Sequence, residues 1–286
     1  MRALNVRPEA VTLLPLGITY TYPTPPWPQI DRWLERLEVE SGLDANLLPT
    51  NHLASPLPTA TDLEPNWQTD PAMQRRYQRL LILGEHLLSV MEAYYHRVYQ
   101  MPLLSEGTIQ TGAVDTDLGE RLETLRNAAL QVAETYFQLP PRGNAIDRCR
   151  RIEQAGWERI FRQDLATEQP VSTVARGLAD REAEEADLRM WHMRLVENFV
   201  AVTGQYVRER PTAERFAETL LILRDIVCLI EGENPYPRPK LGPQVAVVTV
   251  GEPISVSDRW PTYQANRKQA IAQLTADLQT ALEGMI

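Results

Sequence analysis

Hydrophobic positions repeat with one spacing at the two ends of the chain and with another through its middle. Residues 11–22 begin as a continuous apolar run and then alternate, which predicts a β-strand. Residues 244–256 are rich in valine and isoleucine and predict a second strand. Because neighbouring positions of the first run are apolar, we expect both faces of its strand to be buried, as in a sheet covered by helices.

Between the two strands, apolar residues recur every three or four positions, which is typical of amphipathic helices. Prolines at 23–28 predict a stiff turn, and residues 43–70 read as a long loop because they carry many Pro, Thr, Asn and Asp. Pro211 and Glu214 favour a helix start, where proline and acidic residues are preferred. The predicted helices are 29–41, 71–99, 117–138, 144–164, 171–207, 211–231 and 261–283.

This layout predicts an α/β protein that is predominantly helical. The two strands lie near opposite ends of the chain, and we expect them to be neighbours in one partial sheet. A large α-helical insertion then interrupts that sheet. The predicted domains are residues 1–28 with 236–286 as the α/β part, and residues 29–235 as the helical insertion.

Two of the predicted helices share a sequence pattern. Residues 79–95 (RLLILGEHLLSVMEAYY) align with residues 121–137 (RLETLRNAALQVAETYF). Similar core faces of two antiparallel helices in one bundle would explain the match, and so would a true internal repeat. We favour the bundle, since two copies are fewer than the three or so that a solenoid requires. The polar matches are Arg79 with Arg121, Glu92 with Glu134, and Tyr94 with Tyr136.

Composition and charge narrow the functional classes. The 286 residues are 43% hydrophobic and 23% charged, as in ordinary globular proteins. The net charge of −9 disfavours nucleic acid as a partner, because phosphate attraction requires a positive surface. Cys149 and Cys228 are too few for a disulfide framework, which fits a reducing, cytoplasmic compartment. No apolar run reaches the roughly 18 residues of a membrane span.

Motifs for metal, nucleotide and serine chemistry are absent from the sequence. Glu85, His86, Glu92 and His96 lie on one predicted helix, but their spacing differs from the Glu-x-x-His pairs of di-metal bundles. We therefore expect no metal ligands. No glycine-rich phosphate loop and no Gly-x-Ser-x-Gly elbow is present, and we expect no bound cofactor.

Arginine and aromatic residues are concentrated in residues 142–162. Arg148, Arg151 and Trp157 are the candidates for contact with an anion or a membrane surface, since guanidinium groups bind phosphate and tryptophan suits a lipid interface. Acidic residues are interspersed through the segment. A solvated helix face with local ion pairs is therefore the alternative, and the one we favour.

The two predicted strands carry the most specific signal. LLPLGITY at 13–20, followed by VAVVTVGEPISVSDRW at 245–260, resembles the 1-acyl-sn-glycerol-3-phosphate acyltransferase (phospholipid/glycerol acyltransferase) family. That family has a Val-Pro-Val-like strand and later a strand ending in Gly-x-Pro-Ile, which would correspond here to residues 14–16 and 251–254. The helical body also looks like an insertion found in some bacterial members. By this resemblance, part of the acceptor site would be lined by Leu14, Pro15, Leu16 and Gly17.

The resemblance implies acyl transfer to a lysophospholipid-type hydroxyl, with a lipid substrate at the inner membrane surface and a peripheral location there. The donor would be a thioester, either acyl-CoA or acyl carrier protein. The family's His-x-x-x-x-Asp and Phe-Pro-Glu-Gly motifs precede its Val-Pro-Val-like strand, and neither motif occurs in this sequence. We therefore expect a chain that starts late in the family pattern, has no catalytic residue of its own and is inactive as written.

Two substitute bases and two other functions stay open. His52 has leucine at the position five residues later, where the family has its acid. His192 and Glu197 have the correct gap, but on one helix they would point about 140° apart. The main alternative function is a non-catalytic helical module that binds a partner or lipid, and a metal-dependent helical enzyme is a third. The sequence indicates no oligomeric state.

Overall fold

A computed structural model describes residues 10–43, 70–103, 114–162, 171–200, 202 and 205–285. The protein is predominantly helical, as the periodicity predicted, and the β structure of the described residues consists of two small two-stranded sheets. The chain divides into two compact units. Met1–Pro25 and Gly242–Ile286 form the ribbon unit, and Pro26–Leu241 form the helical unit.

The helical unit contains helices close to the predicted positions. The predicted helix 171–207 is shorter than expected, because it ends at Val200 and a separate short helix follows. The predicted loop at 43–70 lies almost entirely outside the described residues. The helices are α1 (Trp27–Glu40), α2 (Pro71–Tyr99), α3 (Val114–Phe137), α4 (Ala145–Ile160), α5 (Thr173–Val200), α6 (Gln205–Glu209) and α7 (Ala213–Glu231).

Local sequence explains several of the helix ends. Asp70 caps α2, since its carboxylate accepts the backbone N–H of Ala72 at 2.8 Å, and Pro71 occupies the first turn, where proline is tolerated. Thr212 caps α7 in the same way through the N–H of Arg215 at 3.4 Å. Gly232 ends α7 in the left-handed conformation that favours glycine.

Three partly buried ion pairs join consecutive helices of this unit. Each arginine lies in the first part of one helix, and each glutamate lies towards the end of the preceding helix. Each of the helices α2, α3 and α4 therefore runs antiparallel to the helix before it. Every pair is bidentate, the geometry in which guanidinium and carboxylate bind most strongly. The pairs are Arg79–Glu38 (2.8 and 2.7 Å), Arg121–Glu92 (3.0 and 2.6 Å) and Arg148–Glu134 (2.8 and 2.8 Å).

The ion pairs give the repeated sequence pattern a physical basis. Arg79 in α2 and Arg121 in α3 each bind the preceding helix, and Glu92 and Glu134 each accept from the following helix. The matching residues therefore hold equivalent places in neighbouring antiparallel helices. Neighbouring helices of one bundle would show this arrangement, and so would two copies of a true repeat, because both place the same residues at equivalent positions.

The ribbon unit consists of strands from both chain ends. β1 (Thr12–Leu13) pairs with β4 (Ile254–Ser255), and β2 (Leu16–Thr21) pairs with β3 (Val245–Val250), both antiparallel. Together these pairs form a two-stranded ribbon. The single strand predicted at 11–22 is interrupted at Pro15, which has no N–H to donate to a ladder.

The expectation that both strand faces are buried is wrong. Six side chains share one face of the ribbon and are between 52% and 61% exposed, because an antiparallel pair of strands leaves this face open. We call this surface the apolar face. It consists of Leu14, Leu16, Ile18, Tyr20, Val248 and Val250.

The last predicted helix is divided in two, α8 (Trp260–Ala265) and α9 (Arg267–Glu283). Asn266 separates them and caps α9 by accepting the N–H of Gln269 at 3.1 Å. After α9, the Met285 side chain packs against the ribbon face opposite the apolar face. Its Cβ lies 2.8 Å from the place where a Cβ on Gly17 would be, so glycine permits this close contact.

Candidate functional site

The two segments that carry the acyltransferase resemblance lie side by side. The backbone N–H of Gly251 donates to the carbonyl oxygen of Pro15 at 3.0 Å. Leu16 is opposite Val250 in the ladder, and Leu13 is opposite Ile254. Residues 14–16 and 251–254 are thereby parts of one continuous surface, although they come from opposite ends of the chain.

The four residues predicted to line the site of the acceptor substrate lie on two different sides of the ribbon. Leu14 and Leu16 are about half exposed on the apolar face. Pro15 and Gly17 are buried, and Met285 contacts Gly17. Only the two leucines are therefore accessible to a ligand on the apolar face, and the role of all four as acceptor contacts stays a prediction.

The apolar face offers hydrophobic contact without charge. No charged residue occurs between Ala10 and Gln29, or between Leu241 and Gly251. The hydroxyl of Tyr20 is the polar group carried by the face itself. Such a surface suits an acyl chain or another apolar surface, because burial of aliphatic side chains is favourable and no ion loses its hydration.

Arg148 and Arg151, the predicted anion contacts, already have partners within the helical unit. Arg148 binds Glu134 and also donates to Asn127 Oδ1 at 2.7 Å. Arg151 donates to the carbonyl oxygens of residues 140, 142 and 147. An anion could bind these guanidinium groups only by replacing the hydrogen bonds that they already make. The anion contact therefore stays a prediction.

Trp157, the third residue predicted for such a contact, is accessible. Its ring is 43% exposed and stacks on Phe161 with the ring centroids 4.9 Å apart. Phe161 follows the end of α4 and is 66% exposed. The two rings form a small apolar surface, but arginines of the same segment contribute to ion pairs there: Arg159 and Arg162 both bind Glu182.

Two of the histidines bind backbone carbonyls. His86 Nε2 lies 2.8 Å from the Ser41 carbonyl oxygen, and His96 Nδ1 lies 3.0 Å from that of Met101. A carbonyl accepts, so each of these ring nitrogens carries the proton and donates. His52 lies outside the described residues.

His192 is fully buried between two tyrosines. Its Nδ1 lies 2.6 Å from the Tyr95 hydroxyl and its Nε2 lies 3.1 Å from the Tyr99 hydroxyl. Burial, with a smaller contribution from Arg189, lowers the pKa of His192 to about 4, so the ring is neutral at pH 7. Glu197 lies on the exposed side of the same helix, so the two residues point apart, as their spacing on one helix predicted, and they form no dyad.

Sequence reasoning missed this aromatic cluster around His192. Tyr94, Tyr95 and Tyr99 of α2 meet Trp191 and His192 of α5 with ring centroids 5.1 to 5.9 Å apart. The i, i+4 spacing of Tyr95 and Tyr99 was a visible signal of a shared helix face. Their partner on α5 is more than 90 residues away and gave no signal in the sequence.

The described residues contain no group of three or more His, Cys, Asp or Glu side chains placed to hold a metal ion. Among the helices of the same ranges, none combines the length and apolar character required to cross a membrane. Both findings concern only the part of the chain that the structure describes.

We expect both cysteines to resist alkylation in the native protein. Burial raises the pKa of the Cys149 thiol to about 12 and also raises that of Cys228, which leaves little of the reactive thiolate. At pH 8, iodoacetamide should modify native Cys149 at least about 100-fold more slowly than the guanidinium-unfolded chain, read by mass spectrometry. Rapid native labelling of Cys149 would contradict the buried placement.

No protein-family model matches this chain, and neither a curated protein nor a solved structure shows a significant similarity to it.

Proposed function

We propose that the protein takes part in glycerolipid synthesis as an acyltransferase-family protein, and that its apolar face contacts the acyl chain of a lysophospholipid-type acceptor. The observation that supports this proposal is the bond from Gly251 N–H to the Pro15 carbonyl. It unites the two motif segments that resemble the family's strands. These segments are distant in sequence, and they could line one binding site only if the fold placed them next to each other.

The energetics of the apolar face favour an acyl chain as its ligand. Complete burial of a Leu, Ile or Val side chain contributes about 1.5–3 kcal/mol, and these side chains keep about half of their surface in water. A chain lying across Leu16, Ile18 and Val248 would recover part of that contribution. The same site would disfavour a charged group, since the ribbon provides no counter-ion.

The transfer step requires a base, and the ribbon unit contains no histidine. The acceptor hydroxyl loses its proton as its oxygen attacks the thioester carbonyl, the C–S bond breaks, and the donor leaves as a thiol. The donor is acyl-CoA or acyl carrier protein. His86, His96 and His192 all lie on helices of the helical unit. The proposed role of the ribbon is therefore to hold the acceptor at the inner membrane surface, and the base is not one of its own histidines.

Ile18→Asp should weaken the binding of lysophosphatidate at least about tenfold, because a carboxylate at the centre of the apolar face would lose hydration beneath the acyl chain. Since Ile18 is 54% exposed, the variant should fold normally. Binding is measured by equilibrium dialysis below the micelle concentration. Thr21→Asp is the matched control, because Thr21 is an exposed residue of the same strand on the other face.

Equal affinities of the Ile18→Asp variant and the native protein would contradict the proposed site, as would absence of binding by the native protein. Palmitoyl-CoA added to the same samples tests the chemistry. We expect no phosphatidate from this chain alone. If phosphatidate forms and is lost in His52→Ala, a base outside the described residues completes the enzyme.

The alternative, a non-catalytic helical module that binds lipid, is favoured by a different observation, a pocket in the helical unit.

A further inference from the structure

We propose that a pocket in the helical unit binds an unbranched aliphatic chain that carries a neutral oxygen, and that this oxygen pairs with the hydroxyl of Thr219. The pocket lies among α2, α3, α6, α7 and the end of α5. We call it the helix pocket. Its lining is mainly aliphatic and includes Leu80, Gly84, Glu85, Val202, Thr219 and Leu223.

The dimensions of the helix pocket select a narrow ligand. The enclosed cavity has a volume of about 30 Å³. A single buried water needs roughly 10–15 Å³ of such cavity volume. The enclosed part is therefore small, and a slender aliphatic chain fits it better than a fused ring system.

Thr219 marks the position of a polar atom in the ligand. This side chain is 4% exposed, and its hydroxyl has no hydrogen-bond partner among the described residues. Buried hydroxyls are nearly always paired, because an unpaired one loses its bonds to water without replacement. Water would satisfy it poorly, since a buried water needs two to four polar partners and most of the wall is apolar. An alcohol or ester oxygen would complete the bond.

The charge of the lining favours a neutral ligand over an anionic one. The residues described around the helix pocket include one carboxylate, Glu85, and no arginine or lysine. A free fatty acid or a phosphate would lose its hydration in this mostly apolar space, where the described lining offers no cationic side chain, which is unfavourable. A long-chain alcohol or an acyl group in an ester linkage brings no charge. The ligand class is therefore a neutral lipid chain.

Gly84 provides space in the pocket wall. It lies inside α2, where glycine is disfavoured relative to alanine. A Cβ at this position would lie 3.9 Å from Leu223 Cδ2 and 4.0 Å from Val202 Cγ1, which are ordinary contact distances. Packing would thus accept alanine at position 84, and a larger side chain would extend into the pocket and occupy the proposed site.

Binding of 1-decanol, measured by isothermal titration calorimetry, tests the proposal. Gly84→Leu should weaken binding at least about tenfold by filling the pocket. Thr219→Val should weaken it about 3- to 10-fold, because one hydrogen bond is lost while the shape is kept. Laurate should bind more weakly than decanol to the native protein. Gly177→Leu is the matched control, since Gly177 lies on the surface of α5 with open space around it.

Decanol binding that is unchanged in Gly84→Leu, or absent in the native protein up to the solubility limit of decanol, would overturn the proposal. If the Gly84→Leu variant does not fold, Gly84→Ala is measured in its place, and its affinity for decanol should be about threefold lower than that of the native protein. The helix pocket does not depend on the proposed acceptor site, because the two lie in different units. Lysophosphatidate binding with Ile18→Asp and decanol binding with Gly84→Leu therefore fail or succeed separately.

Discussion

Arg148→Met should lower the free energy of unfolding by about 3–5 kcal/mol, the cost of breaking a buried ion pair from one side. Arg148 is 11% exposed and its partner Glu134 is 4% exposed, the most deeply buried of the three Arg–Glu pairs between consecutive helices. Without the guanidinium, the Glu134 carboxylate loses both of its short bonds in a site with little access to water. Urea unfolding followed by circular dichroism gives the value.

A double variant separates two contributions to the free energy of unfolding: the destabilisation by a buried carboxylate without its partner, and the net contribution of the intact ion pair. Arg148→Met combined with Glu134→Leu should recover most of the loss, since apolar replacements of a buried pair are often neutral or stabilising. Arg181→Met is the control, because Arg181 and Glu184 form an exposed pair, 77% and 63% exposed. Its effect should stay within about 0.5 kcal/mol. A loss of that size in Arg148→Met would contradict the structural role of the pair.

Gly156→Leu should also destabilise the protein strongly, by about 3 kcal/mol, because it overpacks the contact between α4 and α5. The Met190 side chain of α5 occupies the space where a side chain at position 156 would begin. Gly156 and Met190 are both buried, so neither helix can turn the new side chain into water. The measurement is again the urea midpoint with an unchanged slope.

Truncation of the opposing side chain is the specific test of this contact. Met190→Ala should by itself create a cavity, and Gly156→Leu with Met190→Ala should be more stable than either single variant, since the volumes then compensate. Gly177→Leu makes the same change on the exposed surface of α5 and should be neutral or slightly stabilising. Additive losses in the double variant would show that the helices do not meet as described.

Much of the helical architecture follows from local sequence. The helix predicted at 71–99 is confirmed with both bounds, because Asp70 and Pro71 specify its start and the chain turns away after Tyr99. The prediction for 171–207 is wrong at its end, since the apolar spacing continues beyond Val200 although the helix does not. Periodicity reports which face is apolar, and it does not report where tertiary contacts stop a helix.

The candidate sites were less predictable. Leu14 and Leu16 were named from the resemblance, but their exposure on an open ribbon was not expected. Thr219 and Gly84 gave no signal in the sequence, because an unpaired hydroxyl and a missing side chain acquire meaning only when α2 and α7 pack together. His192 likewise depends on tyrosines of another helix.

The sequence by itself determined the approximate positions of most helices and of the two strand regions, the acidic charge, and the repeated Arg and Glu positions of α2 and α3. These properties depend on residues near one another along the chain, where turn chemistry and apolar spacing act directly. Tertiary structure alone decided that Glu134 binds Arg148, that Gly251 bonds to Pro15, and that the pocket wall is open at Gly84. Those contacts join separate elements, and their energies depend on burial and distance, which no local pattern encodes.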